Sequence, residues 1–190
     1  MTTTARPAPA AADLHPLLAD RRSPRAFDAT ATLGEDQLAL LLDAARWAPS
    51  AANTQPWRFL VGRRGDRAFD ALLAALNPAN REWARDAAAL VLVAAETTDA
   101  DGAPRRWAVY DAGQAAAHLT AQASALGLSV RQMGGFRADD LPALPERVTP
   151  LAVVAVGVAL PADRIPEGHP ATRLPARDRR PLEELLLGVA

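Results

Sequence analysis

The 190-residue sequence predicts an α+β or α/β sandwich built around one sheet, and two observations carry that expectation. The first is a pair of apolar runs, Ala88 to Ala95 and Leu151 to Leu160, which lack polar alternation and so read as strands buried on both faces. The second is the alternation of strands with segments of helical apolar spacing, as expected where helices cover a sheet. No internal repeat or linker divides the chain, which is long enough to bury about 70% of its unfolded surface in one core. Residues 1–12 are rich in Pro and Ala without hydrophobic period and read as a disordered arm. Residues 13–190 read as one domain with a C-terminal arm.

The elements follow in order. Leu14, Leu17 and Leu18 mark a short helix that ends at a basic cluster. A second helix is expected over 35–48, with Leu38, Leu41, Leu42 and Ala45 on one face and Thr32 and Glu35 at capping-box spacing. Pro49 stops it, and Ser50 to Pro56 reads as a loop. Trp57 to Val61 is a strand, 66–76 a helix, and Ala88 to Ala95 a buried strand. A long helix over 105–126 ends at Gly127, a C-cap. Leu128 to Met133 is a strand, 137–143 a short helix, Leu151 to Leu160 the last strand, and Pro181 to Leu185 a terminal helix or arm.

Composition excludes several classes. Hydrophobic residues make up 49% and the formal net charge is -1, so nothing global draws the chain to nucleic acid or an anionic membrane. Cysteine is absent, which removes disulfides and thiolate chemistry. All 21 basic residues are Arg, so no lysine can form a Schiff base. No run reaches the roughly 18 apolar residues of a membrane span, and the start lacks a secretory signal, so a cytoplasmic protein is expected. His15, His118 and His169 have no metal-ligand spacing, and no metal site is expected. His118 shares a polar stripe with Asp111, Gln114 and Gln122, where a partly buried structural contact is its expected role. No G-x-S-x-G elbow and no dinucleotide or Walker loop occurs.

Four patches can carry chemistry. Arg21-Arg22-Ser23-Pro24-Arg25 offers three guanidiniums and a hydroxyl, suited to phosphate oxygens or simply to a solvated turn. Ala48 to Trp57 gathers small residues with Asn53 and Gln55, able to meet the edge of a flat heterocycle or to form an irregular connection. Gly134-Gly135 after a strand leaves amides accessible to a ligand, or makes a tight turn. Arg177-Asp178-Arg179-Arg180 is by itself an ordinary basic tail.

Their order is more specific than any one of them. RRSPRAF, APSAANTQPWRFLV, YDAGQAAAHLTAQASALGL, MGGF, VAVGVAL and RRPLEEL, spread over residues 14–186, together resemble the nitroreductase family. The resemblance implies a three-layer α/β/α sandwich around a mostly antiparallel central sheet. It also implies a homodimer with two FMN sites at the subunit interface, and NADH or NADPH as hydride donor to a small electron-poor acceptor of nitroaromatic or quinone type. By resemblance, Arg21, Arg22 and Ser23 belong to the first FMN segment, with Arg21 and Ser23 on the phosphate or ribityl chain and Arg25 near the pyrimidine edge. Pro49, Ser50 and Asn53 match the segment that reaches the partner's flavin, and Asn80 a residue against the isoalloxazine. Gly134 and Gly135 match the turn whose amide donates to flavin N5, and Arg177 and Arg179 a basic pair closing over the phosphate. Trp83 stands where some members carry Lys, and Gly134 where others carry Glu. No obligatory catalytic acid or base is implied, Arg25 and Gly134 serving to tune the flavin. A dehydrogenase or oxidase desaturating a small molecule or peptide ring, and a non-catalytic flavin-binding protein, are the alternative readings.

Overall fold

The computed structural model describes residues 14–173 and 177–187, so the arm expected at 1–12 lies outside the described residues. Nine regular elements run in the order α1 (Pro16–Ala19), α2 (Glu35–Arg46), β1 (Trp57–Arg63), α3 (Arg67–Ala75), α4 (Pro78–Ala84), β2 (Ala89–Glu96), α5 (Ala108–Ala125), β3 (Ser129–Met133) and β4 (Val148–Gly157). The four strands form one sheet in the order β1-β2-β4-β3, and each neighbouring pair is antiparallel. The fold is therefore α+β.

The unbroken apolar strands are central because both their faces are covered. Along β2, Ala89, Val91, Val93 and Ala95 enter one core with Leu38, Leu41 and Ala45 of α2 and Ala112, Ala115 and Leu119 of α5. Leu90 and Leu92 point the other way, into a core with Phe69 and Leu72 of α3 and Trp83 of α4. Strand β4 alternates likewise: Val154 and Val156 join the first core, Val153 and Ala155 the second. Three layers result, as the resemblance implied. Between Val93 and Ala94 the register with β4 slips by one residue, passing over Leu151, and Pro150 follows as the partner of Ala94.

Helix ends depart from expectation in instructive ways. Helix α2 is capped at Gly34, whose N–H donates to Gln37 Oε1 at 3.1 Å, so the Thr32–Glu35 capping box does not form. Gln37, three residues beyond the true cap, supplies the return bond instead. Helix α4 lies between the segments for which the sequence predicts an element. Asn77 caps it by accepting from Asn80 N–H at 2.9 Å, and Pro78 occupies its first turn, where a missing donor costs nothing. Helix α5 starts at Ala108 rather than 105 and closes as expected: Gly127 takes φ +72, and Leu128 N–H returns to Ala123 C=O at 2.8 Å. The segment 137–143 contracts to one 3-10 turn over Ala138–Asp140, and β4 starts earlier than expected, at Val148.

Between β1 and α3 the chain turns through Gly65, and Asp66 caps α3. Phe69 N–H at 2.7 Å and Arg63 N–H at 2.8 Å both donate to the Asp66 carboxylate and hold its pKa below the ordinary 3.8. A depressed folded-state pKa adds stability that is present above 3.8 and is lost as pH falls below it. Asp66→Ala is therefore expected to cost about 1 kcal/mol at neutral pH. The gap in Tm between variant and parent should narrow as pH falls below 3.8 and through the lowered pKa of Asp66; a gap that stays constant with pH contradicts this role.

Candidate functional site

The segment that follows α1 is clamped at both ends. Behind it, Arg22 Nη1 donates to Ala19 C=O at 2.8 Å, at the carboxyl end of α1. Ahead of it, Phe27 bridges to Ala159 just beyond β4, with Asp28 N–H to Val158 C=O at 2.8 Å and Leu160 N–H to Ala26 C=O at 3.1 Å. Arg21 and Ser23 lie between these anchors, Arg21 Nη1 donating to Ser23 Oγ at 2.9 Å. Both line a cavity of about 420 Å³ floored by Ala117, Thr120 and Ala121 of α5 and by Val130 and Gln132 of β3. Gln132 Nε2 donates to Thr120 Oγ1 at 3.2 Å, closing the strand onto the helix.

The far end of the chain returns to the same place. Arg177 donates to the carbonyls of Ala19 and Leu18, so it caps α1 beside Arg22. Its pKa is lowered by desolvation first and then by the positive charges of Arg22, Arg179 and Arg21, with Asp20 opposing. Four guanidiniums from opposite ends of the sequence thus crowd one corner. Among the described residues, Arg21, Arg22, Arg25, Arg131, Arg177 and Arg179 form no ion pair; every salt bridge found lies elsewhere. Cations gathered without ion-pair partners suit an anionic ligand such as phosphate.

Further along, Arg25 Nε is buried without a hydrogen-bond partner among the described residues. Beside it stands Arg131 of β3, whose pKa is lowered by burial and then by Arg25. The Arg131 guanidinium lies 5.5 Å from the ring centre of Trp83, a wholly buried residue that also stacks on Phe27 with centroids 6.1 Å apart. The indole Nε1 of Trp83 is likewise buried without a hydrogen-bond partner among the described residues.

At the end of β3 the Gly pair docks on the junction of α3 and α4. Gly135 C=O accepts from Asn77 N–H at 3.0 Å and from Asn80 Nδ2 at 3.2 Å. A Cβ on Gly135 would stand 2.4 Å from Asn77 Nδ2 and 2.8 Å from Asn80 Nδ2, so any larger residue would have to displace both amide side chains. A Cβ on Gly134 would meet nothing within 4 Å, which leaves that peptide open.

The loop after α2 behaves differently. Ala52, Asn53 and Gln55 all take positive φ (50, 55 and 46), a costly choice for non-glycine residues. Ala51 N–H donates to Asp111 Oδ2 at 3.0 Å, and Gln55 N–H to Ser50 Oγ at 3.1 Å, which hold the shape. Pro49 and Asn53 are exposed and Ser50 is half-buried. Asp111 is in the first turn of α5, whereas the cavity begins at Ala117 and includes Thr120, nine residues or about 13 Å further along the axis. One chain therefore brings Arg21, Arg22, Ser23, Arg177 and Arg179 together, sets Arg25 beside Arg131, joins Asn80 to Gly135, and keeps Pro49, Ser50 and Asn53 apart. The polar stripe on α5 splits: Asp111 is buried on the loop, while His118 is exposed on a groove lined by Trp47, so the buried contact expected for His118 does not form.

Two residues were missed. Arg131 sits within the strand quoted for its glycines, and nothing local marks it; only the fold lays it over Trp83. Asn77 carries the signal of an Asn-Pro helix start. Among the described residues no group of His, Asp or Glu could hold a metal ion, and no helix is long and apolar enough to cross a membrane.

The three-layer sandwich, the arginine corner beside its cavity and the Gly turn docked on Asn77 and Asn80 together define the class of protein. Comparison with known proteins gives this class its name. The model of the nitroreductase family matches residues 18–157, and the chain belongs to that family. A 15.4 kDa uncharacterized protein of Mycolicibacterium smegmatis is 38% identical over 143 residues, 68% of this chain and 90% of its own. An oxidoreductase crystallised with FMN superposes with a TM-score of 0.81 at 33% identity, over 92% of this chain and 90% of that one. A Desulfovibrio desulfuricans protein crystallised in complex with FMN gives 0.71 at 30% identity, over 93% and 98%.

Proposed function

We propose that the chain is an FMN-dependent oxidoreductase that takes two electrons from NADH or NADPH and passes them, in a ping-pong sequence, to a small electron-poor acceptor. The observation that carries this reading is the arginine corner: Arg21, Arg22, Arg177 and Arg179, four guanidiniums without an ion-pair partner among the described residues, beside a cavity of about 420 Å³. That donor set fits a phosphate, and the orphaned Arg25 Nε is a buried donor that fits a polar ring edge. FMN, when bound, supplies reversible two-electron chemistry.

In this reading Arg21, Arg22, Ser23, Arg177 and Arg179 hold the phosphate and ribityl end. Arg25 faces the pyrimidine edge, Gly134 offers its amide toward N5, and Asn80 with Gly135 shapes the ring pocket. Pro49, Ser50 and Asn53 reach the site of a second copy, so the active form is a homodimer. Their distance along α5 from the arginine corner, and the exposure of Pro49 and Asn53, support a role outside their own chain's cavity. Residues 13–190 act as one domain in the cytoplasm, where both nicotinamides are supplied.

A visible spectrum of the purified protein with the absorbance of bound flavin, bleached anaerobically by NADH or NADPH, is the expected result. Bound flavin that ignores both nicotinamides would redirect the reading to a dehydrogenase or oxidase. Protein that fails to take up added FMN would end it.

A further inference from the structure

Between the arginine corner and the Gly turn, Arg25 and Arg131 stand side by side, and neither has an ion-pair partner among the described residues. Arg131 Nη1 donates to Ser23 C=O at 2.5 Å, which fixes the main chain midway between Arg21 and Arg25. Its guanidinium lies over the Trp83 ring at 5.5 Å, and that ring is packed against Phe27 on the same segment. Strand and segment thus hold Arg131 from two sides, and Gly134 follows it by three residues. We propose that Arg131 is a positioning residue for bound FMN: it ties the 21–25 segment to β3 and supplies a second fixed cation that favours the reduced cofactor. The inference rests on the flavin reading.

The chemistry is one of charge. A hydride carries two electrons and one proton, so a flavin that accepts one would gain a single negative charge, which Arg131 and Arg25 would face as fixed cations. A cation already held in place stabilises that charge without reorganising. Burial and the neighbouring Arg25 both oppose the charge on Arg131, so negative charge developing nearby would be stabilised by both guanidiniums. A residue whose work is only packing would be indifferent to the redox state of the ligand.

The test is a redox titration of the FMN-loaded full chain against a reference dye. R131Q is expected to lose about tenfold in its preference for reduced over oxidised FMN, a drop of about 30 mV for a two-electron couple. R131M, which keeps an apolar stem on Trp83, repeats the charge removal if glutamine disturbs folding. R131K should restore the parental potential. A parental potential in R131Q or R131M, or an R131K potential as low as theirs, overturns the proposal and leaves the flavin reading intact. A parent chain that binds no FMN overturns both.

Discussion

Replacing both Arg21 and Arg179 with alanine is expected to weaken FMN retention by about 2–5 kcal/mol, roughly 30-fold to 5000-fold. Each removes a charge from the corner where Arg177 feels both, and neither has a carboxylate partner among the described residues to leave stranded. The fold should tolerate the change, because like charges repel there and Arg22 and Arg177 still cap α1. Equilibrium dialysis of FMN at two salt concentrations checks it: the parent should lose affinity with salt more steeply than the variant. Equal affinity in the two proteins would remove the phosphate from this corner.

Gly62→Ala is expected to have the largest effect on stability. A Cβ there would lie 2.2 Å from Phe69 N, 2.4 Å from Phe69 Cα and 2.6 Å from Ala68 C, all backbone atoms of α3. Helix α3 starts only four residues after β1 ends and is capped by Asp66, so it cannot slide to make room. Overpacking of this kind costs typically 1–3 kcal/mol and more against rigid backbone, so a loss of at least about 3 kcal/mol is expected. At this chain length that is a fall in Tm of about 6–12 °C. Gly62 is remote from the arginine corner, so FMN affinity of the folded variant should be unchanged. A thermal melt within 2 °C of the parent, on the order of 1 kcal/mol or less, would contradict the packing argument.

Much of the fold was legible because burial on both faces leaves an unmistakable trace: β2 and β4 read as unbroken apolar runs, and α5 as a long Ala-rich helix with a glycine stop. Short elements were harder. Helix α4 buries only Trp83 and Ala84 in seven residues, too few for a period to emerge, although Asn77-Pro78 announces its start. The cap of α2 was misplaced because Thr32 and Glu35 share the spacing that Gly34 and Gln37 actually use. Of the candidate site, the glycines and most of the arginines stood out in the sequence, but their grouping did not. Arg177 reaches Leu18 across 159 residues, and Arg131 reaches Ser23 across 108; contacts of that span have no local imprint.

The register slip between β2 and β4 bears on how the protein survives at high concentration. Strand β4 spans Val148–Gly157, yet β3 pairs only with Val153–Gly157, so among the described residues no strand covers the first half of β4 on that side. An open apolar strand is a template on which stray chains can assemble. Pro150 sits in that uncovered half, beside the bulge, and contributes no N–H to an incoming strand. At the opposite edge, β1 carries Arg58 and Arg63, ion-paired with Glu96 and Glu35, and these charged side chains discourage the addition of an apolar strand. The irregularity that looks like a flaw in the pairing thus serves colloidal stability, the property that decides whether so apolar a sheet stays dispersed while its chains are being made.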